Sequence, residues 1–124
     1  MNASALNWFE IPVADLNRAA LFYETVLNQS LTRDAMGGED VAVFPFERTA
    51  GTGGCLVKSE TLQPAGNGSI VYLNAGKDLD GALERTWNKG GRVALPKTAL
   101  PRNLGYYAHI IDSEGNRVGL HAYP

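Results

Sequence analysis

The feature that most limits the folds open to this chain is that it predicts the same order of elements twice. Each half opens with a run of aromatic and branched residues that predicts a strand, at 6–13 and again at 69–75. An aspartate that can cap a helix follows each strand, Asp15 in the first half and Asp78 in the second. Three short strands are then predicted in each half. This shared order predicts two similar modules, about 5–60 and about 68–124, within a single domain of 1–124.

The helices are predicted from apolar residues that recur with helical spacing. The buried stripe predicted for the first helix consists of Leu16, Ala19, Ala20, Tyr23, Val26 and Leu27. The stripe predicted for the second consists of Leu79, Ala82, Leu83, Thr86 and Trp87. The pair Gly90–Gly91 predicts the end of the second helix, because glycine readily takes the left-handed conformation that follows many helix C-termini.

The remaining segments are predicted to be strands, turns and loops. In the first half, strands are expected at 30–33, 41–46 and 54–58, and the turn-rich stretch 59–68 is expected to link the modules. In the second half, a strand begins at 92–95 and a loop at 96–104 is long enough to form a lip over a site. The chain closes with a hairpin, in which strands at 106–112 and 117–123 flank a polar turn.

Composition excludes several classes of function. Of 124 residues, 44% are hydrophobic and 19% are charged, which is typical of a globular protein. A net charge of −2 and scattered basic residues argue against a nucleic-acid partner. No segment predicts a signal peptide or a membrane span, so no membrane partner is expected. The single cysteine, Cys55, excludes an internal disulfide, and together these observations predict a cytoplasmic protein.

Three stretches resemble the vicinal-oxygen-chelate superfamily, also called the glyoxalase/bleomycin-resistance/dioxygenase fold. They are FEIPVADLNRAALFYETVL, DLDGALERTWNKGGRV and IIDSEGNRVGLHAY. The resemblance covers nearly the whole chain and is specific for the fold, whereas activity does not follow from a fold. It implies an α+β fold in which two βαβββ modules form a curled mixed sheet, with a ligand site in the resulting cup. It also implies a homodimer, since such chains commonly complete their cups across a two-fold axis.

Metal-using members of this superfamily place His, Glu or Gln ligands on the first and last strands of each module. At the matching positions this chain has Trp8, the segment 53–57, the segment 69–71 and Gly119. None of these provides the usual imidazole or carboxylate. We therefore expect no metal at the usual position and no cofactor. A divalent Zn, Ni, Mn or Fe ion is expected only if the site is displaced.

Strand periodicity predicts which side chains remain in the cup. Residues two apart share a face, so Glu10 lies with Trp8 and His121 lies with Gly119. Glu10 and His121 are the candidate catalytic acid and base, and the alternative is that they pair with each other or with backbone. Trp8, Tyr107 and Gly119 are the candidate ligand contacts, with Trp8 either a stacking platform or a core residue.

Three further residues are given structural interpretations. Cys55 lies in an apolar run without a basic neighbour, so inert packing is favoured over a reactive thiolate. His109 is expected to be a surface or hydrogen-bonded residue of the sheet rather than a catalyst. Arg18 could bind an anion at the mouth of the cup, although a solvated arginine is favoured.

Three functions stay open at this point. The first is a metal-independent ligand-binding protein or enzyme that uses the cup for a small, partly aromatic or apolar molecule. The second is a metal-dependent lyase, isomerase or dioxygenase similar to glyoxalase I, with a displaced metal near Glu10 and His121. The third is a protein that sequesters a drug-like compound, as bleomycin-resistance proteins do, without chemistry.

Overall fold

The computed structural model describes residues 4–124 and contains the predicted order of elements twice. The elements of the first module are β1 (Trp8–Pro12), α1 (Leu16–Leu27), β2 (Thr32–Met36), β3 (Glu39–Val43) and β4 (Gly53–Val57). Those of the second module are β5 (Tyr72–Asn74), α2 (Leu79–Asn88), β6 (Arg92–Ala99), β7 (Tyr106–Ile111) and β8 (Arg117–Ala122). The fold is α+β, as predicted.

Each module forms its own four-stranded mixed sheet. The strand order is β1-β4-β3-β2 in the first sheet and β5-β8-β7-β6 in the second. In both sheets the first strand pairs in parallel with the last, and the other pairs are antiparallel. The two sheets therefore have the same topology, which is what the repeated order of elements predicts.

The larger of two hydrophobic clusters joins the two modules. It contains residues of both helices and of both sheets, including Tyr23, Leu56, Ala82 and Leu120, and α1 contacts α2 directly. Burial of these side chains in one cluster supplies the main stabilising term. None of the described helices has the length and apolar character that crossing a membrane would require.

The predicted helix caps are confirmed. The carboxylate of Asp15 accepts a hydrogen bond of 3.0 Å from Arg18 N, and that of Asp78 accepts one of 2.9 Å from Gly81 N. Gly90 follows the end of α2 with a φ of 90°, as predicted. The prediction for Trp87 was wrong: its side chain is 62% exposed, because it lies next to the stripe of Ala82 and Thr86 rather than within it.

Strand boundaries differ from prediction where local signals are weak. β2 begins at Thr32 and runs to Met36, beyond the predicted 30–33, since its exposed residues carry no apolar pattern. The predicted loop 96–104 was also partly wrong, because β6 continues through Pro96 to Ala99. β6 is an edge strand whose register shifts between Leu95 and Thr98, and such an irregularity accommodates a proline that cannot donate a hydrogen bond. Only the turn between Leu100 and Gly105 remains a loop.

The turn between β7 and β8 connects the modules through two carboxylates. Asp112 is buried and accepts hydrogen bonds from Tyr23 Oη on α1, at 2.5 Å, and from the backbone of its own turn. Glu114 accepts from the backbone N–H groups of Ala14 and Asp15, at 3.0 and 2.8 Å. The polar turn of the closing hairpin is thus bound to the first turn of α1.

Candidate functional site

Each sheet has one face covered by a helix and one that is not, and we call the second the open face. In β1, Phe9 and Ile11 pack toward the helices, whereas Trp8 packs with Val41, Val43, Cys55 and Val57 in a separate cluster. In the second sheet, Leu73, Ala108 and Leu120 belong to the core. Strand alternation places Tyr72, Tyr107, Gly119 and His121 on its open face.

On the open face of the first sheet, an aromatic ring occupies the space above a glycine. Trp8 pairs with Gly53 in the parallel β1–β4 ladder. A Cβ atom added to Gly53 would lie 2.7 Å from Trp8 Cζ3 and 2.7 Å from Phe46 Cε1. Real Cβ contacts are not that short, so these two rings fill the place that a side chain at position 53 would take.

The second sheet repeats this arrangement with different residues. Tyr72 pairs with Gly119 in the parallel β5–β8 ladder. A Cβ atom added to Gly119 would lie 2.3 Å from Tyr72 Cδ1 and 2.4 Å from Tyr72 Cε1. The ring of Tyr72 therefore lies across the position where metal-using relatives are expected to carry a glutamate.

These positions do not fit a divalent metal. Among residues 4–124, no group of three or more His, Cys, Asp or Glu side chains is arranged to hold a metal ion. The side chain at the expected fifth-strand position is Tyr72 rather than one within 69–71, because Val71 packs toward the core and Tyr72 faces Gly119. The indole of Trp8 and the phenol of Tyr72 fill the space beside Gly53 and Gly119, where zinc would need imidazole or carboxylate groups.

An aromatic cleft lies on the open face of the second sheet. We use this name for the cleft of about 400 Å³ lined by Tyr72, Leu100, Tyr107 and His121. The rings of Tyr72 and Tyr107 meet edge to face, with centroids 6.2 Å apart. Leu100 comes from the turn after β6, so the remaining part of the predicted lip does border the site. A small cleft lined almost entirely by apolar and aromatic groups suits a small apolar ligand.

A chain of hydrogen bonds runs beside this cleft, on the same open face. Arg117 Nε donates to His109 Nδ1 at 3.1 Å, and His109 Nε2 lies 2.7 Å from Tyr72 Oη. Burial, and secondarily the charge of Arg117, lower the pKa of His109, which favours a neutral imidazole. Because the arginine nitrogen can only donate, Nδ1 must accept, and the proton of neutral His109 is on Nε2.

His121 is oriented by the lip of the cleft. Its Nε2 lies 2.7 Å from the carbonyl oxygen of Leu104, and a carbonyl can only accept, so Nε2 carries a proton. The ring also meets Tyr123 edge to face, with centroids 5.0 Å apart. The imidazole is therefore held at the wall of the cleft by backbone and by an aromatic neighbour.

A second cleft occupies the open face of the first sheet. It has a volume of about 420 Å³, and its lining includes Trp8, Met36, Val43 and Phe46. Trp8 and Phe46 meet edge to face, with centroids 5.9 Å apart. Met36 and Phe46 are each 40% exposed, so this face also presents apolar surface to solvent.

The two candidate catalytic residues lie in different clefts. Glu10 is exposed and borders a cleft of about 200 Å³ that also contains Gln63, Asn67 and Arg117. His121 borders the aromatic cleft, whose lining does not include Glu10, and the lining of the Glu10 cleft does not include His121. The structure thus places Tyr107, Gly119 and His121 together, and places Trp8 and Glu10 each in a different cleft.

Sequence reasoning missed Tyr72 and gave His109 only a structural role. Alternation in the stretch SIVYLNA places Tyr72 opposite Leu73, and that signal was present. The register that pairs Tyr72 with Gly119 has no such local signal in the sequence, because it depends on parallel pairing between strands far apart in the chain.

Arg18 makes an ion pair of 2.6 Å with Glu114 while its side chain stays 55% exposed, which corrects the expectation of a simply solvated arginine.

Comparison with known proteins agrees with this architecture. The sequence profile of the Glyoxalase/Bleomycin resistance protein/Dioxygenase superfamily matches residues 5–120. The chain belongs to this superfamily. No curated protein sequence matches it.

Solved structures similar to this superfamily member include three from different organisms. A glyoxalase/bleomycin resistance protein from Albidiferax ferrireducens T118 has 19% identity and a TM-score of 0.73, covering 98% of this chain and 100% of its own. The genomically encoded fosfomycin resistance protein FosX from Listeria monocytogenes has 19% identity and a TM-score of 0.68, covering 100% and 94%. A mutant glyoxalase I from Zea mays has 20% identity and a TM-score of 0.68, covering 94% of this chain and 45% of its own. At these identities the likeness shows the fold alone.

Proposed function

We propose that this superfamily member binds a small aromatic or apolar molecule in its aromatic cleft, without a divalent metal at the position usual for the family. The observation that carries the proposal is the ring of Tyr72 lying across Gly119. A carboxylate at position 119 and the present position of Tyr72 are sterically incompatible. The same strand pair that would hold a metal in relatives instead supplies an aromatic surface.

The residues of the site have distinct proposed roles. Tyr107 and His121 contact the ligand from the wall of the cleft, and Gly119 acts indirectly by leaving room for Tyr72. Trp8 contributes a second aromatic surface on the other open face. Glu10 and His121 border different clefts within one chain, which argues against a shared role as acid and base in the monomer.

We also propose that the protein is a homodimer in which the open faces of two copies complete each other. Support comes from the apolar side chains that both faces expose: Phe46 is 40% exposed on the first and Tyr72 is 49% exposed on the second. Within one chain the two faces carry separate clefts that are lined by different residues. Light scattering should give twice the monomer mass of 13.3 kDa, and a monomer at working concentration would contradict the proposal.

Metal content tests the central claim. Elemental analysis of protein purified without chelators should find Zn, Ni, Mn and Fe well below one equivalent per chain. An ion that binds only the folded state raises the melting temperature. If the protein has no metal site, added ions should therefore leave the melting temperature unchanged. A stoichiometric ion that stabilises the protein and is lost on Glu10→Gln or His121→Ala would overturn the proposal and favour a displaced metal site, as in the metal-dependent lyase or dioxygenase alternative.

Measurements of binding and turnover distinguish a protein that sequesters its ligand from a metal-independent enzyme. A ligand that occupies the aromatic cleft and is recovered unchanged would favour sequestration, the role suggested by relatives named for bleomycin and fosfomycin resistance. Conversion of the ligand in the absence of metal would favour a metal-independent enzyme. His121→Ala serves as the test variant because His121 lines the cleft, and Trp87→Ala serves as a control because that exposed side chain lies on α2.

A further inference from the structure

The hydrogen-bond chain beside the aromatic cleft determines that Tyr72 Oη accepts a hydrogen bond from His109. His109 Nε2 carries the proton and donates to Tyr72 Oη, because Nδ1 already accepts from Arg117. The hydroxyl of Tyr72 is thereby used as an acceptor on the side of His109. Its own proton is left for another partner, and no acceptor for it is found among residues 4–124.

That proton is available to the cleft. Tyr72 is 49% exposed and lines the cleft with Tyr107 and His121, so its hydroxyl lies at a boundary between an aromatic wall and solvent. The ring cannot settle closer to the strand, since it already lies across Gly119. Because Tyr72 is exposed, this proton faces solvent, and a ligand that displaces solvent from the cleft would have to offer an acceptor of its own.

We propose that Tyr72 is the hydrogen-bond donor of the aromatic cleft, and that its ligand is a small planar molecule carrying an acceptor oxygen, such as an aryl ketone. This inference rests on the proposed function, because it names the ligand class of the same site. Two features select an oxygen acceptor over a purely apolar group. The proton of His109 occupies one lone pair of Tyr72 Oη, which directs the hydroxyl proton away from His109, and the guanidinium of Arg117 at the far end of the chain polarises each bond toward the ligand.

A matched pair of probes tests this directly. Acetophenone and α-methylstyrene have nearly the same shape, but only the ketone has an acceptor oxygen. Each is titrated into ¹⁵N-labelled full-length protein, and the backbone amide signals of Leu100, Tyr107 and Gly119 report occupancy of the cleft. A neutral hydrogen bond contributes about 1 kcal/mol net, so acetophenone should bind roughly 3- to 10-fold more tightly than α-methylstyrene.

Two variants examine the donor and its support. Tyr72→Phe keeps the ring across Gly119 and should remove the preference for acetophenone, while α-methylstyrene affinity should change by less than about 2-fold. His109→Leu keeps the hydroxyl of Tyr72 but removes its hydrogen-bond donor, so the preference for acetophenone over α-methylstyrene should also decrease. The ratio of the two affinities is the decisive readout, because a general loss of structure would weaken both probes alike.

Tyr106→Phe is the matched control. Tyr106 is the neighbouring tyrosine on the opposite face of β7, where the ammonium of Lys97 lies 4.5 Å from its ring centroid. Its substitution should leave both affinities unchanged. Equal affinity of the two probes for the native protein, unaffected by Tyr72→Phe, would overturn the inference and leave the proposed function standing. Absence of binding by both probes would overturn the proposed function and the inference together.

Discussion

The ring of Tyr72 lies across Gly119, its partner in the parallel pair of β5 and β8, so closely that an added Cβ would be 2.3 Å from Tyr72 Cδ1. The same relation joins Trp8 and Gly53 in the first module. An aromatic residue on the first strand and a glycine on the last strand therefore form a repeated unit. In both modules this unit stands where metal-using relatives are expected to carry metal ligands.

Gly119→Ala should destabilise the protein and displace Tyr72. The added methyl group forces the ring away from the strand and breaks its hydrogen bond to His109, with an expected cost of about 1–3 kcal/mol in the free energy of unfolding. Urea denaturation measures the cost. In a Tyr72→Ala background the same substitution should be nearly neutral, because the ring that it meets is gone. Equal costs in both backgrounds would contradict the packing relation.

Glu114→Gln should weaken the contact between the closing hairpin and α1. Burial opposes ionisation of Glu114, but hydrogen bonds from Arg18, Ser113 and the backbone of Ala14 and Asp15 outweigh it and lower the pKa. Replacing the charged acceptor should cost about 1–3 kcal/mol in the free energy of unfolding at neutral pH. Circular dichroism during urea denaturation provides the measurement.

The difference in stability between the native protein and Glu114→Gln should also depend on pH. A lowered pKa in the folded state gives a contribution that is full above the ordinary value of 4.5 and is lost as pH falls through the lower folded value. Asp112 has the opposite shift, a pKa raised chiefly by burial, but it is present in both proteins and cancels in the difference. Asp80→Asn, which removes an exposed ion pair of 3.2 Å with Lys97, should have little effect at any pH. A difference that persists unchanged at acid pH would refute the assignment.

Gly105→Ala should be among the most damaging single substitutions in the chain. Gly105 has a φ of 98°, and an added Cβ would lie 2.1 Å from the backbone oxygen of Ala122. Backbone strain of roughly 1–3 kcal/mol combines with a clash that no side-chain rotation can relieve, so we expect a loss of more than about 3 kcal/mol or failure to fold.

Gly115 provides the matched control for this experiment. It has a similar φ of 91° but nothing within 4 Å of its added Cβ. Gly115→Ala should therefore show the strain alone, about 1–2 kcal/mol by thermal or urea denaturation. If the two alanine variants were equally stable, the close approach of Gly105 to the backbone of Ala122 would have no energetic consequence, and the prediction would be wrong.

Cys55 should be unreactive in the folded protein. It is fully buried, and burial, with a secondary contribution from the charge of Glu10, raises the pKa of its thiol to about 11. The thiolate is the nucleophile, so little of the reactive form is present at pH 8. Mass spectrometry after iodoacetamide treatment should find no modification in buffer and complete modification in denaturant. Rapid labelling of the folded protein would contradict both the burial and the inert interpretation.

The repeated modules, both helices and their aspartate caps could be predicted from sequence because these signals are local. An apolar stripe at helical spacing needs only the helix that bears it, and the carboxylate of Asp15 bonds to a backbone group three residues away. The predictions failed where the local signal was ambiguous. Trp87 is apolar but falls beside the buried stripe, and β6 extends through a proline that an edge strand can accept.

The sequence by itself determined the α+β repeat, the superfamily and the absence of the usual ligand types at Trp8 and Gly119. Only the tertiary structure decided what occupies those places and which residues meet. Tyr72 reaches Gly119, and His109 lies between Tyr72 and Arg117, through strand pairings whose register is set by the packing of the whole sheet. The separation of Glu10 from His121 has the same origin. Strand periodicity assigns each to a face of its own strand, but where two faces lie in space depends on how the modules pack through one core.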